Sequence, residues 1–296
     1  MKTETTMALN VLRDIKQIYA GLNTEEIRAA AWRDANVGLQ ASTEEEYVRM
    51  EAFLAPPGID PNVRQAALRA THRIGATPID SPAKYDFVLC GQGIPLPRNG
   101  FLFDPTDYNA MAKLIVAEND GKELSLARTF PMLRKPVCDR LINKVSRENA
   151  LFSLVTALPN VIPSIIELPW TLGEFATDTA FLTMNQIRLA LTIAAAHGRP
   201  VGYMEQKAEM AAIAAGAFGW RAIARELVGK IPLGGGLIPK AAVAFAGTYV
   251  VGLGLEKVNR TGTGLSRQEK QDAYADAFEK GKEAVRELAP QVVPGS

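Results

Sequence analysis

The sequence predicts a mainly α protein, a helical bundle with a small α/β-like segment around residues 80–118. Three observations carry this. Apolar residues recur at helical spacing through most of the chain, with capping residues before each run and glycine or proline after it. One stretch, Tyr85-Asp86-Phe87-Val88-Leu89-Cys90, has instead the short apolar run of a buried strand. The C-terminal half then holds three apolar helices in series between Phe181 and Lys257.

Residues 7–22 place Val11, Leu12, Ile15, Ile18, Tyr19 and Leu22 on one helical face. Asn23-Thr24-Glu25-Glu26 and Ser42-Thr43-Glu44-Glu45 each read as a cap followed by acids at a helix start. Asp60-Pro61 opens a helix predicted to run through Ile74 and to end at Gly75, so the first quarter of the chain is expected to be helical. After the buried strand and the loop Gly91–Gly100, Phe101-Leu102-Phe103 reads as a second short strand. Asp104-Pro105 then starts a helix that stops at Asn119-Asp120-Gly121. A helix follows from Pro136 through Leu154. The uncharged segment 150–166 is broken by Pro159 and Pro163.

The helix 174–197 has His197 in its last turn, Gly198 past its end and Pro200 beyond. Residues 203–231 form the next helix, and about Pro239 to Val258 the most apolar one. Its uncharged run between Lys240 and Glu256 is shorter than the ~20 residues that cross a ~30 Å hydrocarbon core. Gly247, Gly252 and Gly254 on that helix make sense where another helix comes close. Ser266 caps a final amphipathic helix with Tyr274, Ala277, Phe278, Ala284, Val285 and Leu288 facing inward. The domain organisation expected is an N-terminal region 1–134, an apolar helical domain 135–262, and a C-terminal helix and tail 263–296.

The bulk numbers narrow the function classes. The chain has 296 residues, 47% hydrophobic and 22% charged, a globular composition with length for a sizeable core. A net charge of +1 argues against a broad nucleic-acid surface. Cys90 and Cys138 are far apart, and with only His72 and His197 beside them no metal-ligand spacing exists. Free thiols in a reducing compartment are the simplest reading. The N-terminus leads into an amphipathic pattern rather than an apolar signal core. Residence on the cytoplasmic side, with any contact to the inner membrane made from there, is therefore expected.

The candidate sites are sparse. Gly91 and Gly93 follow a strand, but no Gly-Lys-Ser/Thr follows them, Leu96 stands where a dinucleotide fingerprint needs glycine, and two prolines remove N–H donors. An ordinary turn, or a weak anion site using Arg98, are the two readings. Nothing in the spacing of Cys138 and His197 pairs them as nucleophile and base. Glu205 and Glu209 lack further acids or histidines to complete a metal pair. Gly234-Gly235-Gly236 with Lys240 reads as a turn between packed helices or as a helix N-terminus holding a lipid phosphate. Trp220, Arg221 and Arg225 read as interface residues or as core and solvated face. Asn185, Gln186 and Arg188 lie mid-helix in apolar company, where they bridge helices by hydrogen bonds or face solvent. The candidate interaction residues are thus Arg188, Trp220, Arg221, Arg225 and Lys240; no catalytic, cofactor or metal residue is indicated.

The runs Asn185-Gln186-Ile187-Arg188, Ile193–Gly198, Ala215–Leu227 and Ile238–Tyr249, with Arg147-Glu148-Asn149-Ala150 upstream, resemble the YcjF-like bacterial helical domain of unknown function, over roughly residues 136–260. That domain is often fused to or found beside Era-type GTPase domains. The resemblance implies a helical, GTPase-linked and often membrane-associated module without assigned catalytic residues. This chain departs from the fused form: it has no Gly-Lys-Ser/Thr and no Asn-Lys-x-Asp, and Asn143-Lys144-Val145-Ser146 lacks the acid that reads guanine. The expectation is a non-enzymatic scaffold or interaction protein, with a GTPase partner or a membrane lipid surface. The alternatives are a soluble binding protein with a self-contained helical core and, third, a degenerate nucleotide-binding enzyme.

Overall fold

The computed structural model describes residues 16, 18–75, 82–157, 178–213 and 237–292. The protein is mainly helical with a small four-stranded parallel sheet. It divides into two compact units. The sheet unit comprises Thr24–Asp139 and Ala194–Val201; the helical unit takes the described residues of Met1–Asn23, Arg140–Ile193 and Gly202–Ser296.

In the sheet unit, helix α1 (Thr24–Trp32) leads to strand β1 (Val37–Gln40), helices α2 (Glu44–Leu54) and α3 (Pro61–Arg69), and strand β2 (Thr71–Arg73). Strands β3 (Phe87–Cys90) and β4 (Gly100–Leu102) follow, then helices α4 (Tyr108–Glu118) and α5 (Glu123–Thr129). The strand order is β2-β1-β3-β4, all parallel, with Val37 beside Phe87 and Leu39 beside Leu89. Parallel sheets survive by covering both faces. Here Leu39, Phe87 and Leu89 are fully buried together with Phe53, Met50 and Ile115, and Val88 and Cys90 pack with Tyr85, Ile94 and Ile74. Gly38 leaves room on that second face, where a Cβ would sit 2.8 Å from Ile74 Cδ1 and 3.3 Å from Tyr85 Cγ and Val88 Cγ2.

Two expectations for the first quarter are corrected. Residues 37–40 form a central strand, and the helix from Asp60 ends at Arg69, so that Thr71–Arg73 is a strand rather than the last helical turn. The caps themselves follow the sequence: Thr43 Oγ1 accepts from Glu46 N, and Asp60 Oδ1 accepts from Asn62 N and Val63 N. The helix after β4 starts at Tyr108 rather than at Asp104-Pro105. Asp107 is its N-cap, and Asp104 instead holds Thr106 in a local turn. The sheet thus reaches upstream of the segment 80–118 to draw in residues from 37 onward.

Helix α6 (Pro131–Val155) begins ahead of the predicted Pro136, which lies inside it. It is followed by α7 (Asp178–Ala196), a helical stretch at 207–213, α8 (Leu237–Thr261) and α9 (Arg267–Val292). The end of α7 is a Schellman motif: Gly198 at φ +76° donates its N–H to Ala195 O and Arg199 N donates to Ala194 O. In the helical unit α8 and α9 run antiparallel. Ala241 and Phe245 meet Ala284, Val285 and Leu288, while Ala242 and Ala246 meet Tyr274, Ala277 and Phe278. All six predicted inward residues of α9 are buried.

Small residues set the helix distances. A Cβ on Gly252 would lie 2.6 Å from Ile142 Cγ1 of α6, and one on Gly281 would lie 3.0 Å from Ala242 O of α8. At Gly254 the nearest atom would be Leu265 Cδ1 at 3.8 Å, an ordinary contact. Close approach therefore explains Gly252 and not Gly254. The start of α9 is a capping box: Glu269 N donates to Ser266 Oγ and Ser266 N donates to Glu269 Oε2 at 2.7 Å. Lys257 of α8 also donates to Glu269, at 2.7 Å and 2.9 Å. The Lys257 bond first, and the Ser266 bonds second, hold the Glu269 carboxyl down at about 2.

Two outcomes follow. Gly252→Ala should destabilise the fold, since overpacking of about 1–3 kcal/mol outweighs a helix-propensity gain of about 1 kcal/mol. Gly254→Ala should leave stability unchanged or raise it; urea unfolding midpoints of the two variants compare them directly. A depressed carboxyl contributes stability above its unfolded pKa and loses it as pH falls through the folded value. Thermal melts should therefore show an acid-side loss between the ordinary 4.5 and about 2 that Glu269→Gln reduces.

Candidate functional site

Helices α6, α7 and α8 bury a chain of uncharged polar side chains. Asn185 Nδ2 donates to Asn149 Oδ1 at 2.7 Å, and Asn149 Nδ2 donates to Thr248 Oγ1 at 2.7 Å. Gln186 Nε2 reaches the same hydroxyl at 3.4 Å. All four side chains are buried, and Ser146, one turn before Asn149, is buried with its hydroxyl unpartnered among the described residues. Beside this chain Arg188 pairs with Glu148, both largely shielded from solvent. Of the two readings open for Asn185, Gln186 and Arg188, the structure gives the bridging one: each reaches another helix or an ion-pair partner. Arg188 ties α7 to α6 through this pair. Lys240 is exposed in the first turn of α8. Trp220, Arg221 and Arg225, like Gly234–Gly236, lie outside the described residues.

The second feature is a shallow apolar groove of about 440 Å³ in the helical unit. Gly247, Val251, Gly254 and Val258 of α8 line it with Ile213 and Leu265; Glu209 and Lys270 stand among its lining residues.

The sheet unit holds the remaining features. Because β2 and β4 lie on opposite sides of the β1–β3 pair, the crevice past the ends of β1 and β3 is the switch point where open parallel sheets bind nucleotides. Gly91 N donates to Gln40 O across it at 2.8 Å. The carboxylate of Glu46 lies against Gly91, so that an added Cβ would be 2.9 Å from Oε1, and Glu46 Oε2 accepts from Ser42 N at 3.0 Å. Glu44 and Glu45 share that first turn. A phosphate would meet the Glu46 carboxylate beside Gly91, which argues against the nucleotide-loop reading of Gly91–Gly93. Burial pushes the neighbouring Cys90 thiol up to about 11, and it lies 3.6 Å from Gln40 Oε1.

A cleft of about 720 Å³ opens elsewhere in this unit, where α1, α3, α5 and α7 end. Arg69, Arg128, Arg134, His72 and His197 line it. Arg128 Nε donates to Ala31 O at 2.7 Å and its guanidinium lies over Trp32. Arg134 donates to Ala127 O at 3.2 Å and Arg128 O at 3.3 Å. Sequence spacing had given no reason to pair Cys138 with His197, yet the fold sets Sγ 3.9 Å from Nε2. The sulfur is fully buried, which closes it to a substrate. The arginines of this cleft were missed because they come from three separate helices, each of them ordinary in its own segment. Among the described residues no group of three or more His, Cys, Asp and Glu is placed to hold a metal ion.

Compared with known proteins, the chain matches no family model, no curated protein and no solved structure.

The polar chain makes a sharp prediction. Asn149→Ala strips partners from Asn185 and Thr248 inside the core and should cost about 1–3 kcal/mol in urea unfolding. Replacing Asn149 and Asn185 together by leucine should cost less than the sum of the two single changes, because neither amide is then left facing the empty place of the other.

Proposed function

We propose that this chain is a non-enzymatic helical scaffold that associates peripherally with the cytoplasmic face of a membrane through its helical unit. The observation that supports this reading is α8. Ile238–Thr261 is long and apolar enough to cross a bilayer, and its apolar 18-residue stretch, of mean hydropathy 1.4, is only half buried in the protein. Part of the rest opens into the groove around Gly254. This open apolar side of α8 is the surface the reading assigns to the lipid boundary.

The same geometry argues against crossing. Helix α9 lies along α8 and carries Asp272, Asp276, Glu279, Lys280, Glu283 and Arg286, all exposed. A charge at the bilayer centre costs roughly 2.5–3.5 kcal/mol even on permissive scales. Six of them exceed what one apolar helix returns. Contact is therefore shallow, with the groove side of α8 against the lipid boundary and α9 facing water. The second reading, a self-contained soluble bundle, rests on this charged side of α9. A GTPase partner, implied by the sequence resemblance, stays outside the proposal.

Flotation of the full-length chain with anionic and with neutral phospholipid vesicles tests the reading. The wild type should float with vesicles, and Gly254→Glu, whose Cβ would meet nothing closer than Leu265 Cδ1 at 3.8 Å, should reduce the bound fraction about tenfold. A wild-type chain left wholly unbound by both vesicles supports the self-contained bundle. A Gly254→Glu variant that floats as well as wild type removes the groove from the contact.

A further inference from the structure

We infer that the cleft of the sheet unit is a binding site for a small phosphate-type oxyanion. The cleft is about 720 Å³, inside the range of roughly 300–1,000 Å³ in which small ligands are held. Three arginines line it, Arg69 on α3, Arg128 on α5 and Arg134 on α6, with His72 and His197 beside them. The lining carboxylate is Asp34, which is exposed.

Arginines at such a place need an account, because helix C-termini also attract cations. Part of the set does serve that purpose. Arg128 uses Nε on the end of α1, and Arg134 uses Nε and one terminal nitrogen on the end of α5. An arginine carries five N–H donors in a planar fork. Capping therefore leaves four of Arg128's donors and three of Arg134's without a protein acceptor among the described residues, and all five of Arg69's. Arg134 is half-buried, and burial presses on its charged form with no carboxylate bonded to it. A desolvated guanidinium without a counter-charge is costly, and a planar fork pairs best with phosphate or carboxylate oxygens. Three arginines around one cleft favour the more highly charged tetrahedral anion over a single carboxylate. This site is separate from the crevice at β1 and β3, where Glu46 excludes phosphate.

Isothermal titration of the full-length protein at constant ionic strength with inorganic phosphate, pyrophosphate and citrate tests the inference. Pyrophosphate should bind with a dissociation constant below the millimolar range, and more tightly than citrate. Arg69 is exposed and makes no fold-sustaining bond among the described residues, so Arg69→Gln should keep the thermal midpoint and weaken pyrophosphate about tenfold or more. Arg134→Lys keeps the charge but not the fork and should weaken it as well. No heat with pyrophosphate, affinity unchanged by Arg69→Gln, or tighter binding of citrate would each overturn the assignment.

Discussion

The hydrogen-bond chain from Asn185 through Asn149 to Thr248 is the constraint on which the helical unit depends. Helices α6, α7 and α8 are otherwise joined by alanine, leucine, isoleucine and phenylalanine contacts, which set distance but tolerate sliding. Donors at fixed positions on three helices do not. A shift of α7 by one residue would turn Asn185 away from Asn149 and leave both amides buried without partners, a loss of several kcal/mol in such surroundings. The register of the apolar contacts, including the stacked rings of Phe152 and Phe181 at 3.9 Å, then follows from the polar pairing.

The sheet unit is organised by a different constraint. Its topology creates a crevice of the kind that carries phosphate in nucleotide-binding folds, and its sequence fills that crevice with the carboxylate of Glu46. The carboxylate rests directly against the backbone of Gly91. Positive charge has collected instead where four helices end, and there it exceeds what capping uses. A single unit therefore holds one crevice closed to phosphate and one cleft open to it, and the difference is the sign of a handful of side chains.

Helices and caps were legible in the sequence because each is a local statement. The spacing of Tyr274, Ala277, Phe278, Ala284, Val285 and Leu288 fixes one face of α9, and Ser266 with Glu269 marks its start. Strands β1 and β2 were not legible. Val37-Gly38-Leu39-Gln40 is too short to show alternation, and Gly38 hides the packing that makes it central. Thr71-His72-Arg73 is polar because it is an edge. The bridging role of Asn185 was half-visible: the residue type in an apolar helix signalled a partner, but Asn149 and Thr248 are far off in sequence. The arginine cleft had no local signal at all, since it exists only once α3, α5 and α6 are brought together.

The glycine notches carry a mechanical consequence. Ile142 presses into the notch at Gly252, while the notch at Gly281 admits the backbone of Ala242, so α8 is gripped on two sides at two heights. A rod held in this way can neither rotate about its long axis nor ratchet by a turn without expelling a branched side chain or a peptide group. A push on its open side therefore meets α6 at one height and α9 at the other, a geometry closer to a fixed strut than to a piston.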